Sequence, residues 1–388
     1  MKVLIVNRYM GIYGGAEQLV KELSCNLRQR GVKNIVATLN VSDEVREKIK
    51  GTYVVTPDID FSYAFRSSSL VSSLGIFKEA YYLRQLVKKY YREFDLINIH
   101  NFPANWVAGN LGKPVVWMCN EIPDFYNNPN PSALVRLARA LGIQIDKYMV
   151  NKSVDIVCVA DRLNADAVFN RYNRKSFIVP YGIDAPFNFE ILQSQREDLY
   201  RRYGLSAQDF IVLQVGVVCP TKNQEESVKA LLRLKGYMPE IKLLLAGNDK
   251  NPYADSLKKF IKELGLEDRV IFTGLVSQRE VWQLYSICNL CVFPVKLQGG
   301  YLSVFEALCF GVPVIAYPTM GASTLVQDES LGIVSRDLVS SIKDIRENYS
   351  SYKEKSRKAG LWVRENLTWP KFTQNMLEIF KKVCGQDK

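Results

Sequence analysis

The chain has 388 residues, 47% of them hydrophobic and 23% charged, which is enough for two ordinary domains with separate cores and excludes disorder outside the last few residues. No apolar run approaches the ~18 residues of a spanning helix, and Arg8 interrupts the opening MKVLIVNRYM short of a signal peptide's apolar stretch, so export is not expected. The net charge of +11 calls for an acidic partner; no helix-turn-helix, zinc-finger or aromatic RNA-binding pattern points to nucleic acid, which leaves nucleotide diphosphates and anionic membrane surfaces.

KVLIVN (2–7) reads as a strand, the glycine-bearing RYMGIYGGAE as a loop, and 18–31 as a helix with Val20, Leu23 and Leu27 at helical spacing and Gly31 closing it. NIVATLN (34–40) completes a β-α-β opening, hence a parallel sheet. Further on, 77–94 sets Ala80, Leu83, Leu86, Val87 and Tyr90 on one face with lysines and arginines around it. Such a helix either covers the sheet with its lysines in solvent or lies on an anionic membrane. DLINIHN (95–101) and KPVVWMCNE (113–121) are strands with polar carboxyl ends. Ligands of open α/β sheets sit beyond such ends, so His100, Asn101, Asn120 and Glu121 are the expected contacts on this half. His100, the only histidine, reads equally as a structural residue.

Two more strands, 154–160 and 176–184, end this half at VPYGID. The second half repeats the pattern: strand FIVLQVG (210–216), loop VVCPTKNQ, a helix from Glu225 to Leu234, and further alternating strands and helices to VPVIAY (312–317). Eight cysteines are scattered along the chain, several inside apolar runs, and read as reduced buried thiols; Cys288 and Cys291 form a C-x-x-C without a second pair or histidine to complete a zinc site.

QGGYLSVFEALCFGVP (298–313) reads as strand, glycine turn, helix. Gly299 and Gly300 admit close backbone approach, and the first N–H groups of the following helix, from Tyr301, Leu302 and Ser303, form an anion site whose natural occupant is a phosphate. Gln298 and Glu306 flank it with seven residues between them. This stretch, the glycine loop at 11–17, VPYGID, the Gly216…PTKNQ loop, LLLAG and RVIFTG together resemble glycosyltransferase family 4, in that order and over nearly the whole chain.

The resemblance implies the glycosyltransferase-B fold: two Rossmann-like, doubly wound α/β domains facing a cleft. The first would span 1–184, with a C-terminal helix (370–388) packing back on it, and the second, which binds the nucleotide sugar, 185–369. It also implies a retaining transfer to a glycan or lipid-linked acceptor by a cytoplasmic protein, with peripheral contact at the inner membrane face as one candidate and no metal or cofactor. Lys222 matches the family's phosphate lysine, Glu306 its ribose-binding glutamate, and Gln298 the position touching the donor sugar. Gly14, Gly15 and Gly216 belong to its donor-binding loops. The chain departs from the pattern at Gln298, usually Glu, at Val217, often Arg, and at Asn120, often His. Arg8, Arg279 or another lysine are candidates for the missing cation. These departures keep a second reading open, a non-catalytic subunit on the same fold; a nucleotide-sugar epimerase is a third, against which the lack of extra cleft histidines and carboxylates counts.

Overall fold

The computed structural model describes residues 1–10, 15–49, 51–58, 70–120, 122–123, 132–186, 189–296 and 301–385. They divide into two compact units: Met1–Gly182 with Trp369–Lys388, and Ile183–Thr368.

The first unit contains strands β1 (Lys2–Val6), β2 (Lys33–Ala37), β3 (Val54–Val55), β4 (Leu96–Ile99), β5 (Val115–Met118), β6 (Ile156–Val159) and β7 (Ser176–Ile178). They pair in parallel in the order β3-β2-β1-β4-β5-β6-β7. Its helices are α1 (Gly15–Gln29), α2 (Asp43–Lys48), α3 (Leu70–Tyr90), α4 (Ala133–Ser153) and α5 (Arg162–Tyr172). Side chains alternate across a strand, so β1 feeds two cores. Leu4 and Val6 pack with Leu83, Leu86 and Val87 of α3, whereas Val3 and Ile5 pack with Leu19, Leu23 and Leu27 of α1. That second core also takes Phe372, Met376 and Phe380 from the C-terminal helix (Trp369–Val383). The apolar face of α3 is therefore consumed by the sheet, and the covering role is the one it fills.

In the second unit, β8 (Phe210–Val215), β9 (Ile241–Ala246), β10 (Val270–Gly274), β11 (Leu290–Phe293), β12 (Val314–Ala316) and β13 (Ile333–Val334) pair in parallel in the order β10-β9-β8-β11-β12-β13. The helices are α6 (Gln193–Tyr203), α7 (Gln224–Leu234), α8 (Pro252–Glu263), α9 (Gln278–Ile287), α10 (Tyr301–Cys309), α11 (Ser323–Asp328), α12 (Leu338–Glu347) and α13 (Tyr349–Asn366); the C-terminal helix is α14. Both sheets have the doubly wound order, in which the chain runs outward from the middle in one direction and then in the other. The reading of two Rossmann-like α/β halves is thus what the chain adopts. Pro370 sits in the first turn of α14, where its missing N–H costs no helix bond.

The chain leaves the first unit at Gly182 and returns at Trp369, and the two positions touch. A Cβ built on Gly182 would lie 2.3 Å from the Trp369 nitrogen and 2.6 Å from its Cα. Backbone cannot retreat as a side chain end can, so Gly182→Ala is expected to destabilise the protein by about 1–3 kcal/mol, the usual range for overpacking. A thermal melt monitored by tryptophan fluorescence checks this; an unchanged midpoint would show that the crossing has room for a side chain.

Candidate functional site

In a doubly wound sheet the loops at the reversal point diverge, leaving a crevice beyond the carboxyl ends of the two middle strands. In the second unit those strands are β8 and β11. Their loops are 216–223, which holds Lys222, and the segment from Pro294 towards α10. One backbone bond ties them: the Lys296 N–H donates to the Thr221 carbonyl at 2.8 Å.

The Lys222 loop is braced from below. Gln214, a buried polar residue in an otherwise apolar strand, donates from Nε2 to the Lys222 carbonyl at 2.7 Å and accepts from the Ser227 hydroxyl at 2.8 Å. Gln224 donates to the Val217 carbonyl at 3.0 Å and accepts from the Cys219 N–H at 3.3 Å. The end of β9 closes over the same loop: a Cβ at Gly247 (φ 151°) would come within 2.2 Å of the Gly216 carbonyl oxygen. At Gly216 (φ 141°) a Cβ would lie 3.5 Å from Lys222 Cε, so the lysine stem runs across this glycine.

The Lys222 ammonium has no hydrogen-bond or ion-pair partner among the described residues. Burial lowers its pKa, opposed only by the nearby Cys219. A partly buried ammonium with no partner among the described residues is costly, and a bound anion would offset that cost.

Helix α10 begins at Tyr301, so the N–H groups of Tyr301, Leu302 and Ser303 occupy its first turn, where no intrahelical acceptor exists. The Tyr301 ring is buried against Phe305, with centroids 4.9 Å apart. One turn on, Glu306 keeps partial solvent access while protein surrounds most of its carboxyl. That burial raises its pKa to about 7; the Tyr285 hydroxyl, 3.3 Å from Oε2, opposes the rise and Asp184 adds to it. The same hydroxyl lies 3.2 Å from the Ser303 carbonyl, so Tyr285 on α9 fixes both the helix start and the carboxylate. Gln298, Gly299 and Gly300 fall outside the described residues.

In the first unit, Gly15 opens α1, while Gly14 and Glu121 lie outside the described residues. Beyond β4 and β5 the structure brings Asn101 and Asn120 together: the Asn120 amide donates to Asn101 Oδ1 at 2.8 Å and accepts from the Tyr181 hydroxyl at 2.8 Å. His100 corrects the expectation of a substrate contact. It is fully buried, its Nε2 lies 2.8 Å from Asn98 Oδ1, and desolvation lowers its pKa to about 3, so it is a neutral scaffold residue.

Arg8 is likewise occupied as a substitute cation. It grips the buried Glu79 of α3 through two bonds of 3.0 and 3.2 Å, and Tyr9 donates to the same carboxylate at 2.7 Å. Arg279 is exposed at the start of α9, after β10 rather than at the β8–β11 crevice. Lys296, exposed beside the Lys222 loop, is the lysine whose position fits, and Val217 is 46% exposed where the arginine would stand. Cys288 and Cys291 are buried with their sulfurs 3.8 Å apart and serve packing. Sequence reasoning missed the braces Gln214, Ser227, Tyr181 and Tyr285. Of these only Gln214 carried a signal, as the polar residue inside FIVLQV.

A carboxyl whose folded pKa lies above its ordinary value of 4.5 holds its proton more tightly in the folded chain. Its stabilising share is complete below about pH 4.5 and is lost as pH rises towards 7. Glu306→Gln removes the titration. Denaturant melts across this window should show the variant gaining on the parent as pH rises, and parallel curves would show that Glu306 ionises normally.

The region 195–360 matches the sequence profile described as glycosyl transferases group 1, and 13–186 matches glycosyltransferase family 4. The chain is 25% identical over 231 residues to the alpha-D-kanosaminyltransferase of Streptomyces kanamyceticus, covering 58% of each. It is 29% identical over 163 residues to a GDP-mannose-dependent alpha-(1-6)-phosphatidylinositol monomannoside mannosyltransferase of Mycobacterium tuberculosis, covering 40% of this chain and 41% of that protein. The chain spans about half the length of the curated relatives it matches. Among solved structures, Anabaena HepE in complex with UDP and glucose superposes with a TM-score of 0.77 at 19% identity, over 98% of this chain and all of that one (100%). Sucrose-phosphate synthase from Thermosynechococcus elongatus gives 0.78 at 18%, over 99% and 100%. At such identities the likeness shows the fold. With both profiles matching in order on two doubly wound units, the chain belongs to the family 4 type of glycosyltransferase, built on the glycosyltransferase-B fold.

Proposed function

We propose that the protein is a retaining glycosyltransferase that moves a sugar from a nucleotide diphosphate sugar to a glycan or lipid-linked acceptor at the cytoplasmic face of a membrane. The observation that carries this reading is Lys222, whose partly buried ammonium has no partner among the described residues, on a loop that is bonded to the segment after β11 at the reversal point of its sheet. The names of the relatives support the reaction class.

Transfer breaks the bond from the anomeric carbon to the diphosphate, and the electron pair leaves with the phosphate oxygen. Charge therefore grows on the phosphate that Lys222 and the N–H groups of Tyr301 and Leu302 are proposed to hold, and donors fixed in advance need little reorganisation as it does. Lys296 adds a second, exposed cation beside the same loop. Glu306, held by Tyr285, accepts from ribose hydroxyls. Gln298 bonds sugar hydroxyls but cannot take up a proton; in the retaining reading the departing phosphate accepts it from the nucleophile. With lysine and helix N–H groups supplying positive charge, the reaction is proposed to be metal-independent. Asn101 and Asn120 are the polar groups the first unit offers an acceptor.

Val217, exposed where the family often carries an arginine, favours one other reading, a subunit that binds nucleotide without turnover. Both readings need Lys222. Titration calorimetry with UDP and GDP on the Lys222→Met variant, which keeps the stem over Gly216, should show about 10- to 100-fold weaker binding, the range of one charge-assisted hydrogen bond. Unchanged affinity, or no binding of any nucleotide diphosphate by the parent, would sink both. Binding without hydrolysis or transfer of any nucleotide sugar would leave only the subunit.

A further inference from the structure

The Tyr285 hydroxyl stands between two acceptors and has one proton for them. It lies 3.2 Å from the Ser303 carbonyl oxygen and 3.3 Å from Glu306 Oε2, both on α10. Tyr285 cannot turn to water instead: it is 1% exposed, and its ring packs on that of Phe310 with centroids 5.5 Å apart. Glu306 Oε1, by contrast, has no hydrogen-bond partner among the described residues, and its side chain keeps partial solvent access.

Two arrangements satisfy every group of this set. With Glu306 ionised, the Tyr285 hydroxyl donates to Oε2. With Glu306 protonated at Oε2, that O–H donates to the Tyr285 oxygen, and the Tyr285 proton turns to the Ser303 carbonyl. A hydroxyl both donates and accepts, so neither state leaves an orphaned polar group in a buried place. A phenylalanine ring would fill the same space and serve neither state.

The other titratable and charged groups around this carboxyl do not offer such an exchange. Among the described residues, Asp184, on the segment that enters this unit, acts through its charge and adds to the rise in the Glu306 pKa. Cys309, on α10 itself, is pushed up to about 12 by burial. Cys288 and Cys291 neighbour Tyr285, and burial raises the Cys291 thiol well above its ordinary value. Arg364 of α13 donates to the carbonyls of Cys309, Ala185 and Pro186. A ribose diol, for its part, brings two donors. An ionised carboxylate accepts both, whereas a carboxyl whose Oε2–H is committed to Tyr285 offers Oε1 alone.

We propose that Tyr285 is a positioning residue for nucleotide recognition, its single hydroxyl proton passing between the Ser303 carbonyl and Glu306 so that the carboxyl changes charge as it accepts a ribose diol. This rests on the reading in which Glu306 takes the ribose hydroxyls. On binding, the Oε2 proton leaves to solvent and the Tyr285 proton turns from Ser303 to Oε2.

The test is titration calorimetry of the full chain across pH with UDP-glucose, GDP-mannose and ADP-glucose, whose doubly esterified diphosphates do not titrate near neutrality. With Glu306 titrating at about 7, affinity of the parent should be about tenfold weaker at pH 6 than at pH 8. Glu306→Gln should bind more weakly at pH 8 and give a flat profile. Tyr285→Phe should move the midpoint to higher pH, because the lost hydroxyl opposed the rise, and should regain affinity in more alkaline buffer. A merely structural role would weaken binding by the same factor at every pH. Should that variant fail to fold, proton release decides: at pH 7, in buffers of different ionisation enthalpy, the parent should release about half a proton more than Glu306→Gln. A flat parent profile, a Tyr285→Phe profile lowered uniformly, or equal proton release overturns the proposal and leaves the ribose reading standing. Equal affinity of the parent and Glu306→Gln at pH 8, or no binding of any of the three donors, overturns both.

Discussion

The reversal of strand order between β8 and β11 is the constraint from which the site follows. Because the chain departs in opposite directions from two neighbouring strands, their loops open a gap that no connection fills. The bond from Lys296 N–H to the Thr221 carbonyl closes the bottom of that gap and fixes the distance between the lysine loop and the approach to α10. Everything else in this unit supports those two loops. Gln214 and Gln224 bond backbone groups that a loop buried on a sheet would otherwise leave unpaired, and Gly247 lets β9 come close enough to cover them. Such bracing is what a site for a charged ligand requires, since donors that must move during reaction lose much of their value.

Lys222 and Glu306 are both held away from their ordinary behaviour, and in both cases burial is the largest cause. Lys222 is pushed towards neutrality and Glu306 is pushed towards protonation. Both shifts run in the direction that burial imposes on a charged group. A diphosphate near Lys222 would oppose the lowering of its pKa. The first unit handles its buried charges differently: Glu79 meets Arg8, and Asp146 meets three donors, so each is satisfied internally and neither waits for a ligand.

The strand and helix alternation was legible because parallel strands covered on both faces are continuous apolar runs, and FIVLQV, IKLLLA and LCVF are such runs. The glycine and lysine of the second unit's loop were legible because their roles are local. What could not be read was any partner distant in sequence. Tyr285 reaches Glu306 across 21 positions and Tyr181 reaches Asn120 across 61, and nothing in either tyrosine's neighbourhood announces its partner. His100 and Arg8 failed for the same reason. A histidine at a strand end and an arginine after a strand look available until the fold places Asn98 and Glu79 against them.

The two long helices of the first unit show why amphipathicity alone misleads. The 77–94 segment has an apolar face and many lysines, and α3 spends that face on the sheet. Helix α4 has apolar residues on several sides, so no single face stands out in the sequence. What separates its sides is Asp146, one carboxyl that draws Asn105, Trp106 and Tyr172 to it and so decides which side of the helix is inner. The leucines left outside are exposed because a polar anchor, costlier to strip than a few methyl groups are to hydrate, took the interior position. A helix whose rotation is set by a buried charge can keep an apolar stripe in water.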